Sequence, residues 1–208
     1  TIALGVQTVS FSNLPNDTYE IGVQAIPESG SNYAASTIAS VNATVSGAAT
    51  EVWKQTALAD ITSDDVFVIV GKSGDKYYSM SNNNGTSSAP TATEVTVVED
   101  TEGTTLSGNV ADNIKWNLTS SEGDYTFYPN GSTTTWLYCN TTANSSSNNN
   151  IRVGTGNRKL FKVSGAKFVT DDSNQARYIS LYNASDWRGY TTESSGTELL
   201  FFVLQDNN

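Results

Sequence analysis

Hydrophobic positions along this chain recur mainly with a period of two. In Thr8-Val9-Ser10-Phe11, Glu94-Val95-Thr96-Val97-Val98, Lys115-Trp116-Asn117-Leu118 and Arg177-Tyr178-Ile179-Ser180-Leu181-Tyr182 the residues alternate or are β-branched and aromatic. That pattern predicts half-buried strands. Turn clusters separate them, among them Gly71-Lys72-Ser73-Gly74-Asp75, Pro129-Asn130-Gly131 and Ser164-Gly165. No window sustains a 3.6-residue period with caps, and helix is expected only as a turn or two between Gln55 and Ile61. The spacing predicts an all-β fold of short strands.

Small residues at Ser46-Gly47-Ala48-Ala49-Thr50 interrupt the pattern and predict two regions, residues 1–47 and 48–208. In the first, Leu14-Pro15-Asn16-Asp17 forms a corner, Tyr19 follows where its hydroxyl can bond back to that corner, and alternation continues to Ala25. This stretch resembles the closing half of a fibronectin type III or related immunoglobulin-like domain, in which a tyrosine corner leads into the penultimate strand. The resemblance implies roughly three strands where a sandwich has about seven. A half sandwich leaves a face and an edge open, so it is expected to pack on the second region, to pair with another chain, or to be what remains of a cleaved parent.

From about Glu51 a threefold repetition is legible. Tyr78-Ser79-Met80-Ser81-Asn82, Trp136-Leu137-Tyr138-Cys139-Asn140 and Ile179-Ser180-Leu181-Tyr182-Asn183 share the frame apolar-x-apolar-x-Asn. Upstream lie Phe67-Val68-Ile69, Trp116-Asn117-Leu118 and Phe161-Lys162-Val163; downstream lie Val95-Thr96-Val97, Ile151-Arg152-Val153 and Trp187-Arg188-Gly189-Tyr190. Leu199 to Leu204 supply a closing strand. About a dozen strands in three similar units is the arithmetic of a β-trefoil-like barrel; the uneven repeat length leaves an irregular sandwich or barrel as the alternative.

Trp53-Lys54-Gln55-Thr56, the Asp-rich turn and strand from Asp60 to Gly71, Trp136-Leu137-Tyr138, and Arg177 to Asn183 followed by Trp187 to Tyr190 occur in a telling order. In this order they resemble an accessory module frequent in large secreted and surface proteins of gut Bacteroidetes. The resemblance implies a domain appended to immunoglobulin-like modules, glycan-active enzymes or nucleases, with no established catalytic residues of its own.

Composition changes the picture in two ways. Of 208 residues only 15% are charged, and Ser, Thr, Asn and Gly supply the polar surface, as expected of a secreted or cell-surface β protein. Cys139 is the single cysteine, so no intrachain disulfide forms. A formal net charge of −10 argues against nucleic acid and anionic membranes as general partners. No apolar run approaches the ~18 residues of a membrane span, and any signal or anchor is expected upstream of Thr1.

The chain has no histidine, which excludes Ser-His-Asp and Cys-His machinery and histidine-based zinc sites. Asp64-Asp65, Glu99-Asp100 and Asp171-Asp172 are read as turn and solubility devices, because neighbours on an extended chain point to opposite sides. No enzymatic activity, cofactor or metal is expected. Arg177, Tyr182, Asn183, Asp186, Trp187, Arg188 and Tyr190 mix planar rings with hydrogen-bonding groups and are the candidate ligand-binding residues. The expected function is a carbohydrate-binding or adhesive accessory module; the alternative is a structural spacer or assembly subunit that pairs with another surface protein by strand addition.

Overall fold

The computed structural model describes residues 17–45, 51–101, 103–141, 146–171 and 176–205. The segments Thr8–Phe11, Leu14–Asn16 and Ser46–Thr50 discussed above lie outside these residues. The chain divides into two units, Thr1–Ala49 and Thr50–Asn208. Both are all-β: among the described residues the only helices are one-turn 3-10 segments.

In the smaller unit, β1 (Asp17–Val23) pairs antiparallel with β2 (Ala39–Val45), with Asp17 opposite Val45 and Val23 opposite Ala39. Ser36 clasps the connection: its N–H donates to the Ala25 carbonyl (3.0 Å), and its Oγ accepts from the Ala25 N–H (3.0 Å). Tyr19, Ile21, Ala43 and Val45 share one half-buried face, but no described side chain of this unit is buried.

The larger unit opens with β3 (Val52–Thr56), then a 3-10 turn at Leu58–Asp60, the part of Gln55 to Ile61 that coils. Three hairpins with two-residue turns follow along the chain: β4 (Phe67–Ser73) with β5 (Lys76–Asn84), β9 (Lys115–Ser121) with β10 (Asp124–Pro129), and β13 (Phe161–Ser164) with β14 (Lys167–Thr170). In each, a serine precedes the turn, and the turn contains left-handed residues: Gly74, the pair Glu122 and Gly123, and Gly165. Each is followed by a second pairing, β5 with β6 (Pro90–Val95), β11 (Trp136–Cys139) with β12 (Ile151–Gly154), and β15 (Tyr178–Tyr182) with β16 (Asp186–Tyr190).

Hydrogen bonding links β4, β5, β6, β16, β15, β14, β13, β10 and β9 in that order and returns to β4, closing a ring of nine strands. Every strand of the ring sends side chains into one hydrophobic cluster that includes Phe67, Met80, Trp116, Phe127, Phe161, Phe168, Ile179 and Trp187. Phe127 lies at its centre, with ring centroids 5.3 Å from Phe168, 6.0 Å from Phe161 and 6.3 Å from Phe67. The Trp116 and Trp187 indole N–H groups donate to successive β5 carbonyls, Met80 (3.0 Å) and Ser79 (3.3 Å), so two large rings are buried without stranding a donor.

A second cluster covers the other side of part of this ring. β17 (Leu199–Gln205) pairs with β4 and β3, and β3 pairs with β8 (Gly103–Leu106), which pairs with β7 (Val97–Asp100). Phe67 and Ile69 face the first cluster while Val68 and Val70 face the second; Phe201 and Phe202 divide in the same way. Strands buried on both faces need continuous apolar runs, which is what Phe67–Val70 and Leu199–Leu204 are. The predicted single strand Glu94–Val98 is instead two. Val95 still pairs with Tyr77, whereas Val97 pairs with Leu106, and the Thr96 carbonyl between them accepts from the Ser107 N–H (2.9 Å).

Candidate functional site

The residues predicted from the third repeat separate into inward and outward groups. Trp187 has no exposed surface, and Arg177 is equally buried, with its guanidinium donating to the Ser147 and Gly189 carbonyls and to Asn148 Oδ1 at 3.3–3.4 Å. Contrary to the expectation from the sequence, neither presents a face to a ligand, because alternation along β16 turns Trp187 into the core and the buried Arg177 guanidinium serves backbone carbonyls. Asn183, exposed with φ 47°, and Ala184, with φ 52°, form the left-handed turn between β15 and β16.

Tyr182, Asp186 and Arg188 do meet. The Arg188 guanidinium lies 3.5 Å from the Tyr182 ring centroid and grips both Asp186 carboxylate oxygens, at 2.8 and 3.1 Å. That carboxylate holds the Arg188 guanidinium above its ordinary pKa. Tyr190 lies two residues further along the same face, and burial raises its phenol. The cation is thus neutralised by Asp186, and one face of the Tyr182 ring is covered by Arg188. The patch satisfies itself.

A cleft of about 570 Å³ opens elsewhere, between β9, the end of β10 and the loop before β4. Its floor holds Leu118, Val66 and the half-buried Tyr128; its rim carries Ser63, Asp64, Thr119, Asn130 and Thr133. Asn117 braces it from both sides, donating through Nδ2 to the Asp65 carbonyl (2.8 Å) and accepting through Oδ1 from the Gly131 N–H (3.3 Å). The walls are locally fixed. Asp65 Oδ2 caps its own loop by accepting from the Thr62 N–H (2.7 Å) and hydroxyl (2.9 Å), and the Ser132 Oγ accepts from the Thr135 N–H (3.1 Å). Asp64, left out of that cap, is exposed and is the single acid among the described residues of the lining.

Chemically, this is an aromatic ring surrounded by amides, hydroxyls and one carboxylate. Such a set can stack on and hydrogen-bond a polar ligand. No group of three or more potential metal ligands gathers among the described residues. Its parts were visible in the sequence one by one: Asn117 as a strand position, Asp64-Asp65 and Pro129-Asn130-Gly131 as turns. Nothing in local spacing tells that β9 pairing brings the two turns together. Comparison with protein-family models, with curated proteins and with solved structures finds no match to the chain.

Proposed function

We propose that the larger unit is a non-catalytic carbohydrate-binding or adhesive accessory module, β-trefoil-like in plan, whose binding surface is the Tyr128 cleft. The observation that carries this reading is Tyr128 itself: a half-buried ring in a cleft rimmed almost entirely by neutral hydrogen-bonding side chains. Sugars are recognised by ring stacking and neutral hydrogen bonds, and a cleft of this volume suits an oligosaccharide segment. The three successive hairpin pairs support the trefoil plan. The Ser-, Thr- and Asn-rich surface and the resemblance to Bacteroidetes surface modules support a place outside the cytoplasm.

A glycan array tests the proposal. Wild-type chain is expected to bind a defined set of glycans and Tyr128→Ala to lose them while remaining folded by circular dichroism. Absence of binding on a broad array, or binding indifferent to Tyr128→Ala, overturns it.

A second reading, assembly by strand addition, is favoured by the smaller unit, where no described side chain is buried and Val23, Ile38 and Val41 are more than half exposed. It predicts concentration-dependent association in sedimentation velocity that Val41→Lys abolishes.

A further inference from the structure

The chain has two Asn-Gly pairs, Asn84-Gly85 and Asn130-Gly131. In such a pair the glycine amide nitrogen, with no Cβ beside it, is the least hindered nucleophile that the backbone offers to the preceding side-chain amide. Both pairs therefore start from the same chemistry, and both asparagines are exposed. What separates them is how the fold engages their groups.

Asn84 is clamped at both ends. Its Nδ2 donates to the Val153 carbonyl (2.8 Å) and its Oδ1 accepts from the Val153 N–H (2.8 Å), so the side chain pairs with β12 as a neighbouring strand would. The Gly85 N–H is tied into its loop, donating to the Ala89 carbonyl at 2.7 Å. Turning the Asn84 carboxamide onto the Gly85 nitrogen breaks both bonds to β12 and the bond to Ala89.

Asn130 is held by its backbone. Its N–H donates to the Lys115 carbonyl (3.0 Å), and among the described residues its carboxamide has no hydrogen-bond partner. The Gly131 N–H donates to Asn117 Oδ1 at 3.3 Å, a long and weak bond. The pair forms the middle of a turn closed by the Ser132 N–H on the Pro129 carbonyl (2.9 Å), with Gly131 at φ 75°. Only the weak bond to Asn117 stands in the way of ring closure.

We propose that Asn130 is a self-modification site: in the folded protein its side chain cyclises onto Gly131 and opens to aspartate and isoaspartate, whereas Asn84 is preserved. The Gly131 nitrogen gives its proton to hydroxide and attacks Asn130 Cγ; the N–Cγ bond forms, the Cγ–Nδ2 bond breaks, and ammonia leaves with a proton taken from water. Water then opens the five-membered imide. Opening at the side-chain carbonyl yields aspartate, and opening at the main-chain carbonyl routes the backbone through Cγ as isoaspartate.

Asn130 and Gly131 belong to the wall of the Tyr128 cleft, whose rim already carries Asp64. Either product sets a second carboxylate on that rim, and isoaspartate also lengthens the turn that Asn117 braces. The cleft thus gains negative charge as the protein ages, which weakens its hold on a sugar. That consequence rests on the proposed glycan function; the chemistry does not.

The experiment incubates the whole chain at mildly alkaline pH, in native buffer and in denaturing urea, and follows each Asn-Gly pair by peptide mapping with isoaspartate detection. In urea the two pairs are expected to convert at similar rates. In native buffer Asn84 is expected to convert at least about tenfold more slowly than Asn130, because its two clamping hydrogen bonds add to its barrier. On the glycan array, chain aged in native buffer is expected to lose signal in step with conversion at residue 130. A fresh chain that binds no glycan counts against the Tyr128 reading, and the conversion is then decided by the peptide map. Equal native rates at the two pairs, the same ratio of rates in urea as in native buffer, or an Asn130 that survives in the folded chain while converting in urea overturns the proposal, and glycan binding undiminished by conversion overturns its effect on the cleft.

Discussion

Trp187 fills the space in which a side chain at position 71 would stand. A Cβ on Gly71 would come within 2.7 Å of Trp187 Cη2 and 2.8 Å of Thr197 Cγ2. The contact joins β4 to β16, far apart in sequence, and neither neighbour is the free end of a flexible chain. Gly71→Ala is therefore expected to lower stability by about 1–3 kcal/mol through overpacking. Urea denaturation checks it; an unchanged midpoint contradicts the packing.

Trp187 and Tyr128 are expected to fail differently. Trp187→Ala removes a fully buried ring and should cost about 3–5 kcal/mol. Tyr128→Ala removes a half-buried ring at a cleft and should cost under about 1.5 kcal/mol while abolishing glycan binding. Thermal melts beside array binding separate the two effects. Ligand loss without destabilisation at Trp187 would restore it as a binding residue.

Much of the fold was legible because its local signals agreed. Two of the three hairpin turns, at Gly74 and Gly165, the strands at Phe67–Ile69 and Leu199–Leu204 and the burial of Cys139 follow from period and turn chemistry, whereas the Glu122-Gly123 turn was not among the turn clusters read from the sequence. What was not legible depends on which strands pair at a distance. Arg177, Asp186, Trp187 and Arg188 are close in sequence and look like one polar-aromatic surface, yet strand alternation and the Gly71 recess draw Trp187 inside. The Tyr128 cleft combines positions more than fifty residues apart, tied by one asparagine.

That asparagine is one of several that replace backbone pairing between strands. Asn82, the last residue of a repeated strand frame, donates through Nδ2 to the Asp112 (2.7 Å) and Lys115 (2.9 Å) carbonyls. Asn82→Ala is expected to cost about 1–2 kcal/mol, and Asn82→Asp at least as much at neutral pH, because a carboxylate repels both carbonyls. Denaturation midpoints test the ordering; a stable Asp variant would contradict it.

Lys115 gives a pH signature. Its ammonium is nearly buried, 2.8 Å from Glu51 Oε1 and 3.1 Å from Asp112 Oδ1. Burial pulls its pKa down, but the hydrogen bonds to Glu51 and Asp112 prevail and it lies above the ordinary 10.5. The same bond from Lys115, opposed by burial, holds Glu51 below the ordinary 4.5. The raised lysine stabilises fully below pH 10.5 and its contribution fades as pH rises through the folded value. The lowered glutamate stabilises above pH 4.5 and its contribution is lost as pH falls through the folded value. The melting-temperature gap between wild type and Lys115→Met should therefore be widest near neutral pH and narrow toward both extremes. A gap independent of pH would contradict the pairing.

The most direct test of the binding account is an amide chemical-shift map of the chain titrated with a neutral oligosaccharide selected on the array. Shifts are expected at residues 63–66, 117–119 and 128–133, the walls of the Tyr128 cleft. Shifts confined to residues 182–190 would contradict the account.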